Sequence, residues 1–217
     1  MTRRACVVLV AGALTVLATA CERQGSGCGD GGPMGDYAFS QDTLRDWVSY
    51  FDQLSVVRAV SERTAGRLDD SSGVVGRRVA VVVERTLWRR SHAPRGPQRF
   101  SFIDFPWSRD DEDGSLEPTV FCGETRMVVG KRYLAIVGHW RGEWFPAGTG
   151  RLVLEGERAV GGVDDGEPSK AHSALAGMTI EAAAEKVART EPYRAAVANA
   201  RLGPVARERA VYDDGQR

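Results

Sequence analysis

The hydrophobic residues of this chain follow two periods, one typical of strands and one typical of helices. Apolar and polar positions alternate most clearly in residues 77–90, where Val79, Val81 and Val83 share one side of an extended chain. Other runs rich in β-branched and aromatic residues predict further strands. These runs are residues 53–64, 98–105, 131–140 and 151–160.

Helical spacing occurs before and after these strands. A short leading helix is predicted within residues 40–52 by the spacing of Leu44, Trp47, Val48 and Phe51. Two alanine-rich segments, 177–190 and 191–204, predict C-terminal helices. Thr179 suits the N-terminal cap of the first, and Gly203 suits the end of the second.

Short strands that follow one another without interleaved helices predict a mainly β fold. We expect a small, closed or nearly closed antiparallel barrel over residues 37–163. A linker and two C-terminal α-helices then occupy residues 164–217. Residues 107–118, which are acidic, and 141–150, which are rich in aromatic side chains, are expected to form exposed connections.

The beginning of the chain has the layout of an export signal over residues 1–20. Arg3 and Arg4 precede an uncharged apolar run, Val7–Ala20, which is shorter than the roughly 20 residues of a membrane-spanning helix. Small residues precede Cys21, and this arrangement resembles the lipobox of bacterial lipoprotein precursors. The resemblance implies lipid attachment at Cys21. An ordinary A-x-A cleavage site is the alternative.

The charge balance excludes two classes of binding surface, and the glycine content predicts a flexible segment. The chain has 29 basic and 29 acidic residues, and removal of residues 1–20 takes away two arginines, which leaves 27 against 29. This balance predicts neither a nucleic-acid-binding surface nor a polybasic membrane patch. Residues 21–36 contain many glycines and few apolar residues, so we expect a flexible tether.

A second resemblance begins at the segment VFCGETRMVVGKRYLAIVG, Val120–Gly138. A Cys-Gly pair, a short loop and a Gly-Lys-Arg-Tyr-Leu run that enters a strand are similar to TIMP/netrin-type domains. The resemblance extends from Trp47 to about Val160. It implies a five-stranded OB-like barrel.

In that family an N-terminal cysteine is commonly bonded to the cysteine of this later segment. Carried over to this chain, the resemblance implies a disulfide between Cys28 and Cys122, and two unpaired thiols are the alternative. Family members that inhibit metalloproteases use the free amine of a first-residue cysteine. Acylation of Cys21 would block that amine, so the inhibitory activity is not carried over.

An aromatic cluster in the predicted 141–150 connection has two interpretations. A binding surface at the barrel rim is one interpretation of Trp140, Arg141, Trp144 and Phe145. The other interpretation is that these side chains close the barrel end or hold the C-terminal helices.

Sequence patterns do not indicate catalysis. The three histidines, His92, His139 and His172, are far apart and lack ligand spacing, so neither a metal site nor a cofactor is predicted. We expect a non-enzymatic lipoprotein, anchored on the extracytoplasmic face of the cell membrane, that binds a protein or another envelope component. The alternative is a small extracytoplasmic hydrolase, because a catalytic triad assembles only in the fold.

Overall fold

One antiparallel sheet organises the molecule. The computed structural model describes residues 39–67, 74–110, 112–119, 123–161, 163 and 166–215. The strands in these ranges follow the spatial order β4-β3-β2-β1-β5-β6-β7. Their bounds are β1 Gln53–Arg67, β2 Val74–Arg89, β3 Arg99–Arg109, β4 Leu116–Pro118, β5 Arg132–Trp140, β6 Glu143–Glu155 and β7 Arg158–Val160.

The sheet curls into a half-barrel. Four register shifts interrupt the long β1–β2 pair, and such bulges increase the local twist of a sheet. The curl brings β3 towards β6, although the two strands are not hydrogen-bonded neighbours, and Asp104 of β3 forms an ion pair with Arg151 of β6. β4 and β7 are the edge strands. The mainly β, barrel-like fold class predicted from the sequence is confirmed.

In its central part the sheet is buried on both faces, against different partners. Leu54 and Val56 of β1 point to the outer face and join a core shared with the helices. Val57 and Ala59, at the alternate positions, point to the inner face, where they join the core enclosed by the curl. The alternation visible in the sequence therefore separates two cores where the helices cover β1, whereas Arg58 and residues 61–66 of the same strand are exposed.

The helices cover the outer face. α1 (Leu44–Tyr50) begins with a capping box, in which Thr43 and Asp46 each satisfy a backbone N–H of the other. Trp47 of α1 is fully buried in the outer core. The helices after the sheet are α2 Lys170–Leu175, α3 Ile180–Arg189, α4 Arg194–Ala198 and α5 Pro204–Asp213.

Several local predictions differ from the structure. Residues 141–150 are not a loop: a two-residue turn joins β5 directly to β6, whose first half they form. The predicted strand 151–160 is divided by a turn at Gly156 into the end of β6 and β7. The acidic 107–118 connection contributes residues to β3 and to β4. The C-terminal segment forms four short helices in its described part, where the pattern predicted two.

The described ranges contain no helix with both the length and the apolar composition of a bilayer span. The predicted leader 1–20, the lipidated Cys21, the tether 21–36 and both members of the predicted Cys28–Cys122 disulfide lie outside the described residues.

Candidate functional site

The four residues of the predicted binding surface lie on the hairpin between β5 and β6. Trp140 ends β5, Arg141 and Gly142 form the turn, and β6 begins at Glu143. Arg141 has φ 51° and Gly142 has φ 82°. Two consecutive positive φ values define a type I′ turn, the connection whose twist matches that of the flanking strands. The hairpin tip is therefore a fixed projection from the sheet.

The structure divides these four side chains between the tip and the core. At the tip, the guanidinium carbon of the exposed Arg141 lies 4.4 Å from the centroid of the half-buried Trp140 ring. Phe145 instead packs inward, with its ring centroid 6.2 Å from those of both Phe39 and Phe51. Phe145 has the packing role of the second interpretation, whereas Trp140 and Arg141 form a cation–π pair that solvent can reach.

Trp144 is half-buried and packs against a histidine of the neighbouring strand. Its ring centroid is 5.0 Å from that of His139, its cross-strand partner. The base of the hairpin is held by Asp52, whose Oδ2 accepts the His139 backbone N–H at 2.7 Å and whose Oδ1 accepts Arg90 Nη2 at 2.7 Å. This buried carboxylate connects the hairpin to the 90–98 connection.

One end of the inner face is filled by an ion-pair cluster. Both oxygens of Asp104 are used, since Oδ2 lies 2.7 Å from Arg77 Nη1 and Oδ1 accepts Arg151 Nη1. Arg77 also donates to Glu62 Oε2 at 2.7 Å and to the Met127 carbonyl. Arg151 donates to the Thr125 carbonyl at 3.1 Å. The cluster closes this end and holds the 124–127 segment against the sheet.

The opposite end of the inner face opens into a cleft of about 550 Å³, here called the Gln53 cleft. Its walls are the end of β2 and residues 95–98, which fold back over the sheet where the Val83 N–H donates to the Gln98 carbonyl at 2.8 Å. Gln53 lies on the inner face, opposite Arg89 on one side and Val137 on the other. Arg89 and Arg95 line the same cleft.

A smaller cleft of about 270 Å³ lies between the end of β2 and the helices. Trp88 and His92 form one wall, and Pro192 and Val197 belong to the other. Its lining is more apolar than that of the Gln53 cleft. Exposed His92 has φ 63°, a left-handed conformation that is uncommon outside glycine, although histidine adopts it more often than most residues do.

The three histidines stay apart in the fold. His92 lines the smaller cleft, His139 stacks on Trp144, and His172 is buried in α2. Burial lowers the pKa of His172 below its ordinary value of 6.5, and a backbone hydrogen bond with Thr149 opposes the shift. Within the described ranges, no three His, Cys, Asp or Glu side chains are grouped as a metal site requires.

The sequence reasoning overlooked Gln53, Arg89, Arg95 and Asp104. Two features of the sequence could have indicated these residues. Polar residues occupy inward positions of strands that are otherwise apolar, as Gln53 and Asp104 do. Residues 85–103 contain five arginines and no acidic residue. A run of arginines without an acidic neighbour in the sequence, together with a polar residue at an inward strand position, could have indicated this end of the sheet.

Comparison with protein families, with characterised proteins and with solved structures finds no match for this chain.

Proposed function

We propose that this protein is a bacterial lipoprotein, held by acyl chains on Cys21 at the extracytoplasmic face of the cell membrane, whose half-barrel binds a protein or another envelope component. The barrel-like sheet is compatible with the OB-like architecture that the TIMP/netrin resemblance implies. Two or three acyl chains, at about 0.8 kcal/mol per buried methylene, give a stable anchor where one chain is marginal.

The observation that supports a binding role is the β5–β6 tip. Tryptophan and arginine contribute more binding energy at protein interfaces than most side chains do. At this tip the two are already stacked, with 4.4 Å between the Arg141 guanidinium carbon and the Trp140 ring centroid. The hairpin beneath is fixed by its turn and by Asp52. A partner therefore meets side chains that lose little conformational entropy on binding.

The anchor is tested by the intact mass of protein from the membrane fraction. We expect a chain that begins at Cys21 and carries the mass of its acyl groups, and a Cys21→Ala variant that remains unprocessed or leaves the membrane. Recovery of the unmodified chain, or unchanged membrane retention of Cys21→Ala, contradicts the anchor.

The binding role is tested by a photoreactive residue at position 143, which is exposed beside the tip and leaves Trp140 and Arg141 in place. A matched control carries the same residue at position 212, because Tyr212 is 71% exposed on α5. We expect one saturable crosslinked species from position 143 and its loss when Trp140→Ala is added. The same adducts from both positions, or adducts that do not depend on Trp140, contradict the assignment of the tip.

A further inference from the structure

The geometry points to a second site: we propose that the Gln53 cleft binds a small polar ligand through a carboxylate or phosphate group. Arg89 and Arg95 hold the oxyanion, and the Gln53 amide contacts a neighbouring polar group of the ligand. This site is separate from the hairpin tip and does not depend on the proposed partner or on the lipid anchor.

The two arginines of the cleft have charges that the described residues do not compensate. Neither Arg89 nor Arg95 forms an ion pair or a side-chain hydrogen bond with them, whereas the neighbouring Arg90 is bonded to Asp52. The guanidinium group is planar, remains protonated, and matches the two oxygens of a carboxylate or phosphate. Two such groups around one cleft favour an anionic ligand.

The other charges around the cleft are already paired. Glu84 lies 3.0 Å from Arg58 and 2.8 Å from Arg132, so its negative charge is compensated on the protein. Arg85 forms ion pairs with Glu181 and with Glu157, at 2.9 and 3.7 Å. The net charge that faces the cleft therefore comes from Arg89 and Arg95.

The floor of the cleft supplies a second, independent observation. Gln53 is only 2% exposed and lines the cleft, and its side chain forms no hydrogen bond with the described residues. Its amide nitrogen and oxygen are not closed off from solvent, so they are open to the cleft. An amide held in this position can donate to one polar group of a ligand and accept from another.

The covering loop approaches the Gln53 amide closely, and the approach requires a glycine. A Cβ atom at Gly96 would lie 2.7 Å from Gln53 Oε1 and 2.9 Å from Nε2. Glycine therefore allows residues 95–98 to close over Gln53 while Arg95 stays at the rim. The resulting volume of about 550 Å³ falls in the range of roughly 300–1,000 Å³ that is common for small-molecule sites.

The test is a titration of the full chain with inorganic phosphate and, separately, with citrate, at constant ionic strength. The readout is the ¹⁵N shift of the arginine Nε–H groups, assigned by substitution. We expect saturation by at least one probe below about 10 mM. Citrate alone would assign a carboxylate ligand and phosphate alone a phosphorylated one. No saturation by either probe overturns the proposal.

Three substitutions distinguish a specific anion site from general charge attraction. R89Q and R95Q should each weaken binding at least about tenfold, because each removes charge-assisted hydrogen bonds. R99Q is the matched control: Arg99 starts β3 in the same hairpin, is exposed and unpaired among the described residues, and does not line the cleft. An equal loss in R99Q shows nonspecific attraction and overturns the proposal.

The remaining variant, Q53L, keeps both arginines and the side-chain volume. We expect binding to weaken about tenfold with little change in the midpoint of thermal unfolding, because the Gln53 side chain forms no hydrogen bond with the described residues and its loss leaves no partner unsatisfied. A site that acts only through charge would bind Q53L as tightly as the unchanged protein, and that result would contradict the role of Gln53.

Discussion

Asp104 has a different role from every exposed acidic residue in the protein, because two buried guanidinium groups share its carboxylate. Its side chain is fully buried, and those of Arg77 and Arg151 are 1% and 3% exposed. Two charges of one sign and one of the other are tolerated there because Glu62 and backbone carbonyls accept further hydrogen bonds from the two guanidinium groups. The cluster therefore depends on Asp104 more than on any other member.

Asp104→Asn should lower the free energy of unfolding by about 3–5 kcal/mol, because it leaves two buried cations without a shared counter-charge. Urea denaturation measures the change. Glu181→Gln, which breaks the exposed ion pair with Arg85, is the control and should change the free energy of unfolding far less, because solvent screens that pair. Similar losses in the two variants would contradict the distinction between buried and exposed pairs.

At the same scale, His172 makes the stability of the fold depend on pH. Its pKa is lowered by burial, so the unfolded chain binds a proton at a higher pH than the folded one does. The contribution of His172 to stability is complete above the ordinary pKa of 6.5. It declines as the pH falls below 6.5 and is lost below the lowered folded-state pKa.

His172→Gln should therefore flatten the decline in unfolding free energy between about pH 7 and about pH 5. Denaturant unfolding at a series of pH values measures that slope. His92→Gln, at an exposed histidine, is the control for the substitution itself. An unchanged slope in His172→Gln would show that other groups cause the acid sensitivity.

At the scale of elements, the β5–β6 hairpin combines a favourable connection with an unfavourable residue. The type I′ geometry suits the twist of the strands, and Gly142 takes its positive φ without strain. Arg141, at φ 51°, carries a Cβ in the left-handed region, where most residues pay about 1 kcal/mol or more. Arg141, whose guanidinium group stacks on Trp140, therefore lowers the stability of the hairpin.

Arg141→Asn should raise the free energy of unfolding by about 1 kcal/mol, because Asn-Gly is the preferred type I′ pair. Under the proposed function the same change should weaken partner binding, since the guanidinium group is lost. Thermal or urea unfolding measures the first effect, and crosslinking from position 143 measures the second. Loss of stability in Arg141→Asn would contradict the turn assignment.

At the scale of the whole molecule, the C-terminal helices are joined to α1 by Arg207 as well as by apolar packing. This residue of α5 is 1% exposed and donates to the backbone carbonyls of Ser49, Tyr50 and Leu202. Burial, aided by the nearby Arg90 charge, lowers the pKa of Arg207 to about 10, so the group stays protonated at neutral pH. One side chain thus connects α5 to the end of α1.

Arg207→Met should lower the free energy of unfolding by about 3 kcal/mol, because it leaves buried carbonyls without donors. Hydrogen exchange should then show faster opening of α4 and α5 than of β1 and β5. Arg209→Met is the control on the same helix, since Arg209 is exposed and forms no ion pair with the described residues. Equal losses in the two variants would show that the contacts of Arg207 contribute little.

The sequence by itself determined the class of fold and most of its elements. The alternation at Val79, Val81 and Val83 and the helical spacing at Trp47 are local consequences of backbone geometry, so they can be seen before folding. The same reasoning misjudged residues 141–150, because the aromatic side chains and glycines of a tight hairpin resemble those of a loop. The leader, the lipidated Cys21 and the Cys28–Cys122 disulfide remain predictions.

Only the tertiary structure decided which residues meet. Gln53 and Arg95 are 42 positions apart, and Asp104 and Arg151 are 47 apart. No local period brings such pairs together, because their distance depends on strand order, register and the curl of the sheet. The structure also assigned Phe145 to packing and left Trp140 and Arg141 at the tip, since burial is a property of the assembled sheet and not of a side-chain type.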